Sequence, residues 1–371
     1  MNSDQRSGLT APGSGPLPLA QGSEPSAALQ RVLIIGPSNV GDALLIHEVL
    51  CRVRACLPRA HIALMVGTRA TAVFLDDPRI HTLIDLGLFD GVLGQLRLAW
   101  DLWRYQPHIL VDLRHTLYPL LLKPLQAWRY LRQPPRAIRH MRDRHLWKLR
   151  IQVPDIRRCR SDGGANDRGL EPRASSLERS SMPWCSHKEL AHLEQLFHRW
   201  GLQGGRRLVV MCPGARSHIK RWMAEGFARV ADRLIAEQQV QVVLSGEPDE
   251  QSVIEEIQAF MRRQAPHLLG LVTIRQLAAV MERAALVITN DSASLHAASV
   301  AGAPTVAIFG PTDAARYGPT APQRRVVRRR LFCAPCEQAL CRFNHECMRF
   351  ISPDDVYQAA CELLNGSSSL G

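Results

Sequence analysis

Four short stretches of this chain pair reactive side chains with turn residues. The first is Gly36-Pro37-Ser38-Asn39-Val40-Gly41-Asp42, which follows an apolar run and precedes Ala43-Leu44-Leu45. Its glycine spacing imitates a phosphate-cradling loop, but such a loop needs lysine where Asp42 stands, and a carboxylate there would repel a triphosphate. The Gly-x-Gly-x-x-Gly fingerprint of a dinucleotide site is also missing from this turn, which argues against a nicotinamide-dependent oxidoreductase. Asp42 instead falls in the first turn of the expected helix, where the dipole and free amides favour its ionised form. A carboxylate held that way can accept the proton of an attacking hydroxyl. The alternative is a residue that only satisfies the helix dipole.

The other three stretches lie in the second half. Pro213-Gly214-Ala215-Arg216-Ser217-His218-Ile219-Lys220-Arg221-Trp222 puts small residues first and Lys-Arg-Trp last, so that the Lys220 ammonium can be aimed at a diphosphate. An exposed Lys-Arg pair with no ligand is the competing reading. Ser245-Gly246-Glu247-Pro248-Asp249-Glu250 sets Glu247 and Glu250 at the end of an apolar run, where carboxylates accept hydrogen bonds from ribose hydroxyls. Thr289-Asn290-Asp291-Ser292-Ala293-Ser294-Leu295-His296 offers good capping residues and a helix start whose amides form an anion site. Capping alone would not require His296 one turn in. A further turn, Phe309-Gly310-Pro311-Thr312-Asp313, adds a hydroxyl and more free amides.

What must position these loops is a set of buried strands. Apolar runs recur at Val32–Ile35, Ile62–Val66 and Ile109–Leu113, then at Leu208–Cys212, Val240–Leu244, Leu286–Thr289 and Thr305–Phe309. Each is followed by a stretch of helical spacing, the pattern of parallel strands alternating with helices. The fold class is α/β, with two Rossmann-like doubly wound domains. Ligands bind such domains beyond the carboxyl ends of the strands. Residues 1–30, with four Gly, four Pro and five Ser, read as a disordered tail. Residues 31–154 read as an acceptor domain, with Asn39 and Arg114 as candidate acceptor contacts. Residues 155–187 read as a flexible insertion or linker, with too few aliphatic side chains to offset the entropy of ordering. A helix from about Lys188 to Trp200 leads into a nucleotide-sugar donor domain at 188–352, and a helix and tail occupy 353–371.

Of the 371 residues, 46% are hydrophobic, enough for two cores. The tail lacks the apolar centre of a secretory signal, so a cytoplasmic protein with mostly reduced cysteines is expected. The net charge of +12 attracts polyanions without choosing among them. Ten Arg and Lys148 between Arg129 and Arg160, against Asp143 and Asp155, imply a basic face on the first domain. Five Arg between Arg324 and Arg330 could meet anionic lipid or an acceptor's phosphates, and a solvated strand edge is the alternative. Cys333, Cys336, Cys341 and Cys347 form a C-x2-C-x4-C-x5-C cluster. It could bind zinc or an iron–sulfur centre, against reduced packing thiols.

Taken in order, five features resemble family 9 of the glycosyltransferases, the heptosyltransferases of bacterial lipopolysaccharide core. They are Gly41-Asp42, Lys220-Arg221-Trp222, Gly246 with its acidic loop, Asn290-Asp291-Ser292 with His296, and Phe309-Gly310-Pro311-Thr312-Asp313. The likeness spans roughly Arg31 to Leu364 apart from the insertion. It implies a GT-B enzyme, its two domains facing a central cleft, that takes ADP-heptose or another nucleotide sugar, inverts the anomeric centre and needs no metal or other cofactor. It implies Asp42 as catalytic base and Lys220 as the lysine at the donor phosphates. Glu250, with Glu247 as the alternative, would contact the ribose. Asp291 would lie near the sugar, with Ser292, Ala293, Ser294 and His296 on the helix that holds the diphosphate, and Thr312 and Asp313 would line the same pocket. The family usually has Gly where Ala293 stands and Pro or another small residue at Ser294, and basic or polar residues in place of Gly36-Pro37. The acceptor would be a saccharide or a lipid-linked one, the protein a monomer with no nucleic-acid partner, cytoplasmic and peripheral on the inner membrane. A non-catalytic polyanion- or nucleotide-sugar-binding protein of the same fold is the alternative.

Overall fold

A computed structural model describes residues 30–154, 156, 185–202 and 205–366, and the chain divides into two compact units between residues 184 and 185. The tail read at 1–30 is described only at Gln30, and most of the 155–187 insertion lies outside the described residues.

The first unit is built on β1 (Arg31–Ile35), β2 (His61–Val66), β3 (Thr82–Asp85) and β4 (Ile109–Asp112). These form one parallel sheet in the order β3-β2-β1-β4. Val32 to Ile35 and Ile62 to Val66 are completely buried, as expected of strands covered on both faces, whose side chains need not alternate. The helices are α1 (Val40–Leu45), α2 (His47–Cys56), α3 (Thr68–Phe74), α4 (Gly91–Tyr105), α5 (Tyr118–Leu122), α6 (Ala127–Leu131) and α7 (Met141–Gln152). Leu98, Leu102 and Tyr105 of α4 pack with Leu33, Ile35 and Met65 of the sheet.

α7 carries part of the basic stretch read at residues 129–160, with Arg150 exposed and Arg142 and Arg144 half-buried. It turns His145, Lys148, Leu149 and Gln152 inward, onto the outer edge of β4. There the Gln152 amide donates to Asp112 O at 2.9 Å and accepts from Asp112 N at 2.9 Å. Lys148 Nζ donates to Leu113 O at 2.6 Å. An edge strand exposes a row of unpaired backbone groups, and here a helix supplies the missing partners from its side chains. Burial lowers the Lys148 ammonium to about 8, with Asp112 pulling the other way.

The second unit holds β5 (Leu208–Cys212), β6 (Gln241–Leu244), β7 (Leu286–Asn290), β8 (Thr305–Phe309) and β9 (Arg324–Arg328). They are parallel, in the order β6-β5-β7-β8-β9. Its helices are α8 (His187–Arg199), α9 (Ala224–Glu237), α10 (Gln251–Phe260), α11 (Ile274–Glu282), α12 (Ala293–Val300), α13 (Ala314–Tyr317), α14 (Glu346–Arg349) and α15 (Pro353–Gly366). α8 opens on a reciprocal cap between Ser186 and Glu189, the first of which lies inside the segment read as linker. α15, read as a region of its own at 353–371, packs Val356, Tyr357, Ala360 and Leu364 into the same core as β5, β7 and β8. β9 is the solvated edge, and α15 partly neutralises the arginines there: Arg325 of β9 pairs with Glu362 at 2.6 Å, and Arg329, just past the strand, with Asp355 at 2.5 Å. Among the described residues no helix is long and apolar enough to cross a membrane.

Gln152→Leu keeps the side-chain volume but leaves two buried backbone groups of β4 without partners, at about 1–3 kcal/mol each. Urea unfolding should report a loss of about 2–6 kcal/mol on that scale, and an unchanged midpoint would show that the strand edge is satisfied another way.

Candidate functional site

In the first unit the register aligns Ile35 with both Met65 and Asp112, so the loops after β1, β2 and β4 emerge at one edge of the sheet. The first and second of these touch closely. A Cβ on Gly67 would lie 2.5 Å from Ser38 Cβ, which only glycine avoids. α1 starts at Val40, earlier than the expected Ala43, so Asp42 sits in its first turn, half-buried. Asn39 occupies the N-cap position and is exposed, with no side-chain cap hydrogen bond. Arg114 is exposed beyond β4. Its backbone N–H donates to Asp112 Oδ1 at 2.9 Å, while Asp112 Oδ2 accepts from the N–H of Thr116 at 2.7 Å. That buried carboxylate therefore shapes the loop, and the Arg114 guanidinium extends from it into solvent.

In the second unit the register joins Cys212 to Thr289 and Asn290 to Ile308, bringing the other three loops and the 309–313 turn to one edge. Their centre is Asp291, 6% exposed. Its Oδ2 accepts from Lys220 Nζ at 2.7 Å and from Thr312 Oγ1 at 2.6 Å. Three residues chosen from three separate loops thus meet on one oxygen. Asn290, absent from the expected contacts, is what ties the loops: Nδ2 donates to Pro213 O at 2.6 Å and Oδ1 accepts from Trp222 N at 3.2 Å. The Trp222 indole then anchors the far end of the Lys220 loop by donating to Ile351 O at 3.1 Å.

α12 begins directly after this cluster. Ser292 is its N-cap residue, yet contrary to expectation its hydroxyl makes no cap hydrogen bond, and Oγ is buried with no protein partner. Leu295 N–H turns back onto Ser292 O at 3.2 Å, and no side chain caps the amides ahead of it. Ala293 and Ser294 line that turn half-buried, and His296 lies under it at 5% exposed. Asp313 serves locally, accepting from Ala315 N at 3.0 Å as the cap of α13.

Glu247 and Glu250 separate clearly. Glu247 is exposed, while Glu250 is 9% exposed and accepts from Glu247 N at 3.0 Å. The Glu250 carboxylate fills the space where Gly214 lacks a Cβ, which would stand 1.9 Å from Oε2. Burial raises the Glu250 pKa, opposed by the hydrogen bond from Glu247. A Pro-Gly pair after a strand is the sequence signal that pointed to this contact without naming the partner.

Cys333, Cys336, Cys341 and Cys347 line a cavity of about 250 Å³ together with Ile219 and Pro311, as free thiols. The N–H groups of Phe343 and His345 donate to Cys341 Sγ, each at 3.3 Å. Among the described residues no group of three or more His, Cys, Asp or Glu is arranged to hold a metal ion.

The profile of glycosyltransferase family 9 (heptosyltransferase) matches residues 178–346. Lipopolysaccharide heptosyltransferase 3 of Escherichia coli is 34% identical over 294 residues, 74% of this chain and 81% of the relative. Lipooligosaccharide heptosyltransferase 2 of Campylobacter jejuni is 33% identical over 172 residues, 45% of this chain, and the match spans only about half of that relative, 54%. In three dimensions the chain is similar in fold to an ADP-heptose heptosyltransferase II of E. coli, with a TM-score of 0.66 at 21% identity over 91% of this chain and 100% of the other. A third of positions shared over most of a relative's length, with the profile lying across the Lys220 and Asp291 loops, decides the affiliation: the chain belongs to glycosyltransferase family 9.

Proposed function

We propose that this protein transfers a heptose or related sugar from a nucleoside-diphosphate donor, ADP-heptose, to a saccharide or lipid-linked acceptor such as lipopolysaccharide core. The reaction is inverting and needs no bound metal, and it runs on the cytoplasmic side of a membrane. One observation carries the reading: Lys220, Asp291 and Thr312 converge beside an α12 start whose amides lack a side-chain cap. A helix start of this kind binds phosphate through free N–H groups and the dipole. An ammonium held beside it meets the charge that grows on the departing diphosphate, so it stabilises the transition state more than the ground state. Asp291 has both of its hydrogen bonds to Lys220 and Thr312 on Oδ2, and Oδ1 is the acceptor for a hydroxyl of the sugar. Glu250 takes the ribose hydroxyls at the end of β6. Asp42, from the first unit, deprotonates the acceptor hydroxyl as it attacks the anomeric carbon from the face opposite the diphosphate. Asn39 and Arg114 orient that acceptor.

Asp42→Asn should lower kcat by ~10²–10³, the scale of general-base loss, with donor binding by calorimetry unchanged. Transfer at the wild-type rate would remove the mechanism. Lys220→Met should cost ~10²–10³ in kcat as well, but with weakened ADP binding, which separates the two roles.

Glu250 supplies the pH dependence. Because burial holds its pKa above the ordinary ~4.3, the carboxylate that accepts from ribose is lost as pH falls through a midpoint above that value. A carboxyl raised in the folded state favours folding on acidification, so this loss of ADP affinity is not unfolding. Titrating ADP binding from neutral to mildly acid pH should show the decline in wild type, and Glu250→Gln should bind weakly with a flat profile. A wild-type decline that persists in Glu250→Gln would move the titration to another group.

A further inference from the structure

The first unit carries an apolar surface that neither its core nor the proposed reaction uses. Among the described residues, eleven of the eighteen exposed large hydrophobic side chains lie between Val92 and Leu131, so the exposure is local rather than scattered. On α4, Val92, Leu93, Leu96, Trp100 and Trp103 are all at least half exposed, Leu93 at 82%. At 3.6 residues per turn they fall within an arc of about 100°, opposite Leu98, Leu102 and Tyr105, which enter the core. The helix is therefore apolar on both sides, which a water-facing helix is not. α5 joins the same surface, Tyr118 Oη donating to Gln95 Oε1 at 2.8 Å. From there Leu117, Leu121, Leu125 and Trp128 continue the exposure, Leu125 at 93%.

The charge around this surface identifies its partner. From Leu113 to Arg142 the chain has seven Lys or Arg and no carboxylate. Arg129 and Arg132 stand 5.5 and 5.9 Å from the Trp128 ring, and Arg97 and Arg104 flank the α4 stripe. Two copies of this chain apposed through the surface would bring like charges together. A bilayer with anionic headgroups instead accepts the aliphatic side chains below the headgroups, the tryptophans at their level, and the cations at the phosphates. We propose that α4 to α6 form the membrane-docking face of this protein, seated on an anionic lipid surface. The proposal names the surface behind the peripheral location suggested above and does not depend on the chemistry of Asp42 or Lys220.

Sedimentation of the full chain with vesicles of equal parts phosphatidylglycerol and phosphatidylcholine tests it at low salt. Wild type should pellet with these vesicles, stay in solution with pure phosphatidylcholine, and show a blue shift of tryptophan emission on binding. The triple variant Leu93→Ser, Leu96→Ser, Leu125→Ser should bind at least about tenfold more weakly, with an unchanged melting curve and ADP affinity. Arg328→Gln with Arg330→Gln, on the second unit, should leave binding intact. No pelleting of wild type, equal pelleting of the triple variant, or loss of binding in the Arg328/Arg330 variant would each overturn the proposal. So would a wild-type dimer in sedimentation velocity that the triple variant reduces to monomer, which would assign the face to a second copy.

Discussion

A buried carboxylate has to be met by cations and hydroxyls, because stripping its water otherwise costs several kcal/mol. In the second unit that requirement falls on Asp291, and its solution is what assembles the site. Lys220 arrives from the loop after β5 and Thr312 from the turn after β8, both on the same oxygen. The neighbouring Asn290 clamps the β5 loop at both ends, at Pro213 and at Trp222. The last residue of β7 and the one after it therefore organise loops from the strands on either side. The parallel register makes this possible by delivering all of them to one edge.

The strands that were legible in the sequence are those buried on both faces, where uninterrupted aliphatic runs leave no ambiguity. β3 was not read as a strand and β9 only as the alternative of a solvated strand edge, for different reasons. Thr-Leu-Ile-Asp is too short to show a period, and Arg-Arg-Val-Val-Arg is an outer strand whose side chains mostly face water. α7 shows a third reason: its inward face has His145, Lys148 and Gln152 beside a single aliphatic residue, Leu149, so there is too little apolar periodicity to find. Of the basic residues read at 129–160, Lys148 turns inward while Arg132, Arg136, Arg139 and Arg150 are exposed.

Within the site, residue types and order announced the loops, but partnerships required coordinates. Glu247 and Glu250 are indistinguishable by composition, and only the space vacated at Gly214 separates them. Ser292 looked like a cap and holds the position without making the bond, a difference of side-chain rotation that no sequence pattern encodes. Asn290 was quoted as part of a motif and turned out to be its fastener.

The placement of α15 bears on how the molecule is made. Its Val356, Tyr357, Ala360 and Leu364 complete the packing beneath β5, β7 and β8, yet it is synthesised after every strand of that sheet. The N-terminal sheet closes with β4 and α7, so it can mature while translation continues. The second sheet waits, its hydrophobic underside open, until α15 emerges, and in that interval the nascent chain is most in need of chaperone cover.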